Sequence, residues 1–243
     1  MPRTPEQFRR DALQIWRAGV AGVDSVRLVR EAVSNEHGRL LIGEQTIPLG
    51  AVRHIKVVGA GKAGAGMAQG LLDALGDETI VAKQVSGCIN LPADCVRPLP
   101  PLTLHAARPA GINEPTEDGV TGARRILEIA SSLGHDDLCF CLISGGASAL
   151  LPGPVDEISL ADKVAVTRHL SAAGATINEL NTVRKQLSRI KGGGLARACR
   201  AGRLIALIIS DVLGDPLDII ASGPTVPDSG TPRQALDVLH RFH

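Results

Sequence analysis

From residue 55 onward, short apolar runs alternate with stretches of helical periodicity; the runs are 55–58, 80–85, 102–105, 138–143 and 204–209. Strands buried on both faces and joined by helical crossovers read this way. The predicted fold class is α/β, a mainly parallel sheet with helices on both faces. Two helices are expected between the last two runs. One starts at Ser159 with Asp162 in the capping position and ends near Gly174. The other starts near Thr176 with Glu179 three residues on. In the second, Ile177, Leu180, Val183, Leu187 and Ile190 share one apolar face, which leaves Arg184, Lys185 and Arg189 to other faces.

Ahead of this alternation, Thr4-Pro5-Glu6-Gln7 reads as a helix start, with an N-cap, a proline in the first turn and a capping-box glutamine. The helix carries Phe8, Leu13, Ile15 and Trp16. A second helix from about Asp24 is expected to bring Val26, Leu28, Val29 and Val33 to one side and to stop at Gly38. Residues 40–42 and 46–49 around Gly43-Glu44 predict a small hairpin. Proline-rich stretches 92–101 and 109–115 read as surface loops. A last helix over 232–241 is still in its periodic pattern at His243, so more protein is expected beyond it.

Composition narrows the function classes. With 243 residues, 44% hydrophobic and 21% charged, the chain is long enough for one large core without staples. A net charge of +1 gives no field for nucleic acid or a membrane, and the absence of tyrosine argues against base-stacking platforms. The five cysteines form no CxxC pair and read as buried reduced thiols. The polar N-terminus lacks an apolar signal core and no stretch is apolar enough to span a bilayer, so a cytoplasmic protein is expected.

Four loops follow apolar runs and are rich in glycine and small hydroxyl residues, the pattern of an anion-binding site. In the first, Gly59, Gly61 and Gly64 fit GxGxxG, the Rossmann-like fingerprint, and Lys62 lies within the turn. A solvated lysine on an ordinary turn would look the same. The second is Ser144-Gly145-Gly146-Ala147-Ser148, whose glycines permit close backbone approach to phosphate or close helix–strand packing. The third runs from Asn181 through Arg184, Lys185 and Arg189 to Lys191-Gly192-Gly193-Gly194. It reads as a helix ending in lysine and glycines, followed by a new helix at Leu195. Arg184 and Lys191 are the functional candidates, whereas Lys185 and Arg189 fit a solvated basic face. The fourth joins Ser210-Asp211 to Ser222-Gly223-Pro224-Thr225. Asp211, at the end of a strand, can take a hydroxyl proton or hold Mg²⁺, and Ser222 and Thr225 are candidate substrate contacts.

As an ordered set these loops resemble the N-terminal domain of the glycerate 2-kinase family, whose members have often been labelled hydroxypyruvate reductases. The resemblance rests on Val58-Gly-Ala-Gly-Lys62-Ala, Ser144-Gly-Gly-Ala-Ser148-Ala-Leu, Gly174-Ala-Thr-Ile-Asn178-Glu-Leu-Asn181-Thr-Val-Arg184-Lys185, Ile190-Lys-Gly-Gly-Gly-Leu195, and Ser210-Asp-Val212 through Ile220-Ala-Ser-Gly-Pro-Thr225. It implies ATP-dependent phosphorylation of D-glycerate at its 2-hydroxyl, with Mg²⁺, giving 2-phosphoglycerate and ADP. In that scheme Lys62 and Asp211 are catalytic, Asp211 also meeting the metal. Gly59, Gly61, Ser144, Gly145, Gly146, Ser148, Lys191, Gly192 and Gly193 cradle the nucleotide phosphates. Arg184, with Asn181, Ser222 and Thr225, meets glycerate, the arginine fork matching its carboxylate. The chain departs from the family where Gly-His-Pro is usual and Ala107-Arg108-Pro109 stands. The resemblance makes residues 1–243 the N-terminal α/β domain and puts a missing, smaller C-terminal domain after His243.

Two other readings stay open. An NAD(P)-dependent hydroxypyruvate reductase would use Gly59–Gly64 and an acidic residue at the end of the next strand, where Lys83 and Gln84 are expected instead. A non-catalytic sugar-phosphate-binding module would use the same loops. Oligomeric state is not legible in the residue pattern, and a homodimer stays open.

Overall fold

A computed structural model describes residues 3–242; Met1 and Pro2 of the expected polar start, and the terminal His243, lie outside the described residues. The chain opens with α1 (Pro5–Gly22), whose capping box joins Thr4 and Gln7 as expected. Its apolar side has no cover among the described residues, and Phe8, Ile15 and Trp16 are all more than half exposed.

The second helix, α2 (Ser25–Ala32), stops six residues earlier than expected. Val33 instead begins β1 (Val33–Glu36), which pairs antiparallel with β2 (Arg39–Ile42), itself paired with β3 (Gln45–Pro48). Gly38 is not a helix stop. With His37 it forms a two-residue turn, both at positive φ (50° and 75°), the backbone a tight hairpin requires. Tertiary pairing wins over helical periodicity here because Val33 and Leu40 enter the core almost completely.

Beyond the small sheet come β4 (Ile55–Ala60), α3 (Gly64–Leu75), α4 (Asp77–Ala82), β5 (Ser86–Pro92), β6 (Leu102–Arg108), α5 (Glu117–Ser131) and β7 (Leu138–Ser144). The first half of the expected strand over 80–85 is the end of the helix α4, and the rest is the turn that leads into β5. Gly76, at φ 77°, breaks α3, and Asp77 and Glu78 then fill the first turn of α4, where carboxylates suit the helix dipole. The real strand, β5, was disguised by Gly87 and Asn90. Gly87 lies against the Val57 main chain, where a β-carbon has no room. Asn90 is fully buried and donates to the carbonyls of Gly119 and Leu150.

The segment after β7 holds α6 (Ala147–Leu150), α7 (Leu160–Ala172), α8 (Ile177–Gln186) and α9 (Gly194–Ala198), and then β8 (Arg203–Ile209) and α10 (Pro232–Arg241). Capping boxes at Ser159/Asp162 and Thr176/Glu179 start α7 and α8 as expected. The second of these helices ends at Gln186 rather than at Lys191, because the Arg189 amide bonds the Gly153 carbonyl at 2.8 Å and pulls the chain out of the helix.

The five parallel strands stand in the order β6-β5-β4-β7-β8, a Rossmann-like arrangement that agrees with the expected class. One face buries Ile55, Val57, Phe140 and Leu142 against α3 and the small sheet. The other buries Val58, Cys139, Cys141 and Ile143 against α5. All five cysteines are free thiols, three of them buried.

Close strand contact sets the sharpest local constraint. A β-carbon at Gly59 would stand 2.8 Å from the Leu142 main-chain nitrogen and carbon. Gly59→Ala should therefore lower the unfolding free energy by about 3 kcal/mol, whereas Gly50→Ala, which meets open space, should change it by less than about 0.5 kcal/mol. Urea denaturation of the two variants measures the difference.

Candidate functional site

The sheet order reverses between β4 and β7, and their C-terminal ends form the crevice where open α/β sheets take ligands. Two turns interlock there. The Ser144 hydroxyl accepts from the Ala63 amide at 3.0 Å, and the Lys62 amide donates to the Gly145 carbonyl at 3.0 Å. Gly61 sits so tightly on Ser144 that a β-carbon would fall 2.7 Å from its main chain.

Side chains approach this knot from three directions. A methyl group at Gly146 would stand 3.3 Å from Lys62 Cε and 3.2 Å from Arg108 Nη2. On the other side, a methyl at Gly145 would stand 3.0 Å from the Asp211 carboxyl carbon. Lys62 and Asp211 are exposed, and Arg108 is buried. Gly146 itself is left-handed, φ 81°, so glycine is required both by conformation and by crowding.

One turn of helix further on, Ser148 is the centre of a second group. Its hydroxyl meets Lys191 Nζ at 2.8 Å, Arg184 Nη2 at 3.0 Å and the Ser222 hydroxyl at 3.0 Å. Lys191 also donates to the Ser148 carbonyl at 2.8 Å and to Ser222 Oγ at 3.3 Å, so all three of its hydrogens are engaged. Arg184 Nη1 donates to Asn181 Oδ1 at 3.3 Å. The amides of Gly192 and Gly193 donate to the carbonyls of Ser222 and Gly223, at 2.9 and 2.7 Å, and so join the third loop to the fourth. Ala221 and Ser222 hold positive φ, 54° and 63°, a costly backbone for residues with side chains. Thr225 lies on the same turn, and its side chain makes no hydrogen bond among the described residues.

Charge sets this group apart. Among the described residues no carboxylate forms an ion pair with Lys191, Arg184 or Lys163. Burial, followed by the charges of Arg184, Lys163 and Lys185, holds the Lys191 ammonium well below its ordinary range. Lys163, on α7, is brought down to about 8 by burial and then by Arg184. Desolvation lowers Arg184 as well. Cations packed in this way without counter-ions favour either proton loss or a bound anion.

The structure brings Lys62, Ser144, Gly145, Gly146, Ser148, Asn181, Arg184, Lys191, Asp211 and Ser222 to one end of the sheet. Two features differ from expectation. Lys185 is buried rather than solvated, and pairs with Asp228 at 3.2 Å and Asp218 at 3.7 Å. Arg189 does lie on the surface, paired with Asp156. Because β5 ends at Asn90-Leu91-Pro92, Lys83 and Gln84 do not end the second strand. The real strand end holds Asn90, which is used internally, and an acidic residue, Asp94, follows it where none was expected, so a missing carboxylate no longer argues against a dinucleotide.

Sequence reasoning missed Lys163, and treated Arg108 only as a departure. A signal for Lys163 existed: it shares the inward stripe of α7 with Leu160, Thr167 and Leu170, where an apolar residue is usual. Arg108 gave none, since its placement depends on Asn113, which accepts from Nη1, while its Nε is buried without a partner.

Beside Ser148 lies a cavity of about 250 Å³ lined by Gly146, Ala149, Pro152, Lys163, Val164 and Arg184, among others. No group of three or more metal-binding side chains occurs among the described residues, and none of their helices is long and apolar enough to cross a membrane.

The chain is similar to known proteins over most of its length. A family described as "Domain of unknown function (DUF4147)" matches residues 11–243. The chain is 39% identical to a glycerate kinase of Danio rerio, over 95% of its own length and 47% of the relative's. It is 34% identical to the D-glycerate 2-kinase of Thermotoga maritima, over 98% of its length and 52% of the relative's. A crystal structure of glycerate kinase from that organism superposes with a TM-score of 0.80 at 33% identity, covering 98% of this chain and 52% of the other. The chain thus spans about half the length of the curated relatives it matches. On this evidence the chain belongs to the DUF4147 family.

Proposed function

We propose that the site carries out ATP-dependent phosphoryl transfer to the 2-hydroxyl of D-glycerate, giving 2-phosphoglycerate and ADP. The observation that carries this reading is the convergence of Lys62, Asp211 and the buried cations around Ser148 on glycine turns at one end of the sheet. Similarity to glycerate kinases supports it.

In this scheme the glycerate 2-oxygen attacks the γ-phosphorus while the bond to the β-bridging oxygen of ADP breaks, and the hydroxyl proton passes to the Asp211 carboxylate. Lys62 balances charge on the transferred group. The bare backbone of Gly59, Gly61, Gly145 and Gly146, with Ser144 locking the turn, lets phosphate oxygens approach closely. Arg184, oriented by Asn181 and Ser148, takes the substrate carboxylate. Gly192 and Gly193 hold Lys191 and Ser222 against Ser148, and Thr225 borders the substrate. Such transfer needs chiefly positioning and charge stabilisation.

Mg²⁺, when bound, neutralises charge between the phosphates. It usually keeps several waters and takes one or two carboxylates besides phosphate oxygens. Asp211 fits that role, being exposed beside Gly145 with no protein hydrogen-bond partner among the described residues. Turnover is assigned to the protein at the full length of its relatives, a further domain closing over the crevice. A cytoplasmic setting suits these substrates.

Calorimetry should find ATP binding to the chain and no binding of NADH. Lys62→Ala should weaken ATP at least about tenfold. In the chain extended to the length of its relatives, Lys62→Ala and Asp211→Asn should each lower kcat at least about a hundredfold. Full activity in both variants would overturn the site.

The cation cluster adds a pH dependence. Lys163 has a folded value near 8, below its unfolded 10.5, so between these pH values the unfolded chain binds more protons. Stability without ligand should therefore rise across pH 8 to 10.5, Lys163 contributing at most about 1.4 kcal/mol per pH unit and the depressed Lys191 adding to it. Denaturation of Lys163→Met over the same window should show a smaller rise, the remainder belonging to Lys191.

A further inference from the structure

The cavity of about 250 Å³ between α7 and the turn after β7 has a cationic corner and apolar walls. Lys163 Nζ has three hydrogens, and one of them goes to the Leu187 carbonyl at 2.9 Å. Arg184 has five, of which one goes to Asn181 and one to Ser148. Donors therefore remain on both side chains, and both line the cavity. Lys191 differs, since its hydrogens are all engaged within the protein. Glu114, at the same cavity, is already paired with Arg168 at 2.8 Å, so its charge is not left to answer Lys163.

Size selects the ligand. Pockets for drug-sized ligands run to about 300–1,000 Å³, and this smaller space suits a compact anion of a few carbons. Pro115, Ala149, Pro152 and Val164 supply the apolar wall.

We infer that Lys163 is a specificity-determining residue of the acceptor pocket: together with Arg184 it holds the carboxylate of a small hydroxy acid in this cavity. The hydroxyl then faces Gly146, beyond which lie Lys62 and the phosphates. This assignment rests on the phosphoryl-transfer reading for the identity of the acid, and on the cavity for its place. The bond from Lys163 to Leu187 also caps the C-terminal end of α8, which is the role a purely structural lysine would have.

The test separates the two roles by ligand. D-glycerate, glycerol and ATP are titrated separately into the chain and into Lys163→Met and Val164→Phe. The unsubstituted chain should bind D-glycerate and reject glycerol. Lys163→Met should weaken D-glycerate at least about tenfold and leave ATP within about twofold. Val164→Phe, which keeps the lysine and narrows the cavity, should do the same. Failure of the unsubstituted chain to bind D-glycerate, unchanged D-glycerate affinity in Val164→Phe, or equal loss of both ligands in the two variants would overturn the pocket. Lys163-dependent binding of D-glycerate with no binding of ATP would uphold the pocket and overturn the kinase reading.

Discussion

The buried ammonium of Lys191, held by Ser148 and Ser222 with no carboxylate among the described residues to answer it, is the constraint around which the functional end of the molecule is organised. Burying a charge is tolerable only when its hydrogen bonds are complete and some countercharge arrives. The protein supplies the hydrogen bonds, through a serine on α6 and a serine forced into left-handed backbone. It then adds two more cations, Arg184 and Lys163, to the same corner. Lys185, one residue from Arg184, shows the alternative, for it is just as buried but is matched by Asp228 and Asp218. The contrast makes the missing countercharge a property of the site and not of the region.

The sheet makes this arrangement reachable. β4 and β7 are neighbours, and their following segments leave in opposite directions, so the two turns at their ends face each other across one crevice. Glycine is what allows them to interlock. Gly61 lies on Ser144, and Gly145 and Gly146 leave the space that Asp211, Lys62 and Arg108 border. Stiff parallel strands with fully buried centres, such as Phe140 and Leu142, fix the distance between turns that each contribute one part of the site.

Elements whose signal is local were legible in the residue order. The capping boxes of α1, α7 and α8 involve residues three apart, and all formed where expected. Glycine loops after apolar runs marked the crevice for the same reason. Features set by distant neighbours were not legible. β5 looked unlike a strand because Gly87 is required by the Val57 main chain and Asn90 by two carbonyls, one 60 residues away. Val33 followed a helical period yet pairs with Ile42. Lys185 could be assigned to a wet face from its helix position alone, since nothing local reveals Asp228, 43 residues on. The three-cation cluster likewise depends on α7 and α8 lying against each other.

Arg108 joins the legible and illegible parts of the site. It stands where similarity to the glycerate 2-kinases leads one to expect histidine, at the end of β6, two strands away from β4. Its length lets it cross that distance. Asn113 holds one terminal nitrogen, and the other lies against the space over Gly146 that Lys62 also borders. An imidazole there would change charge near neutrality, whereas a guanidinium, even lowered by burial, stays cationic. The substitution therefore keeps the outer edge of the crevice positively charged at every pH at which the lysines behind it begin to lose their protons.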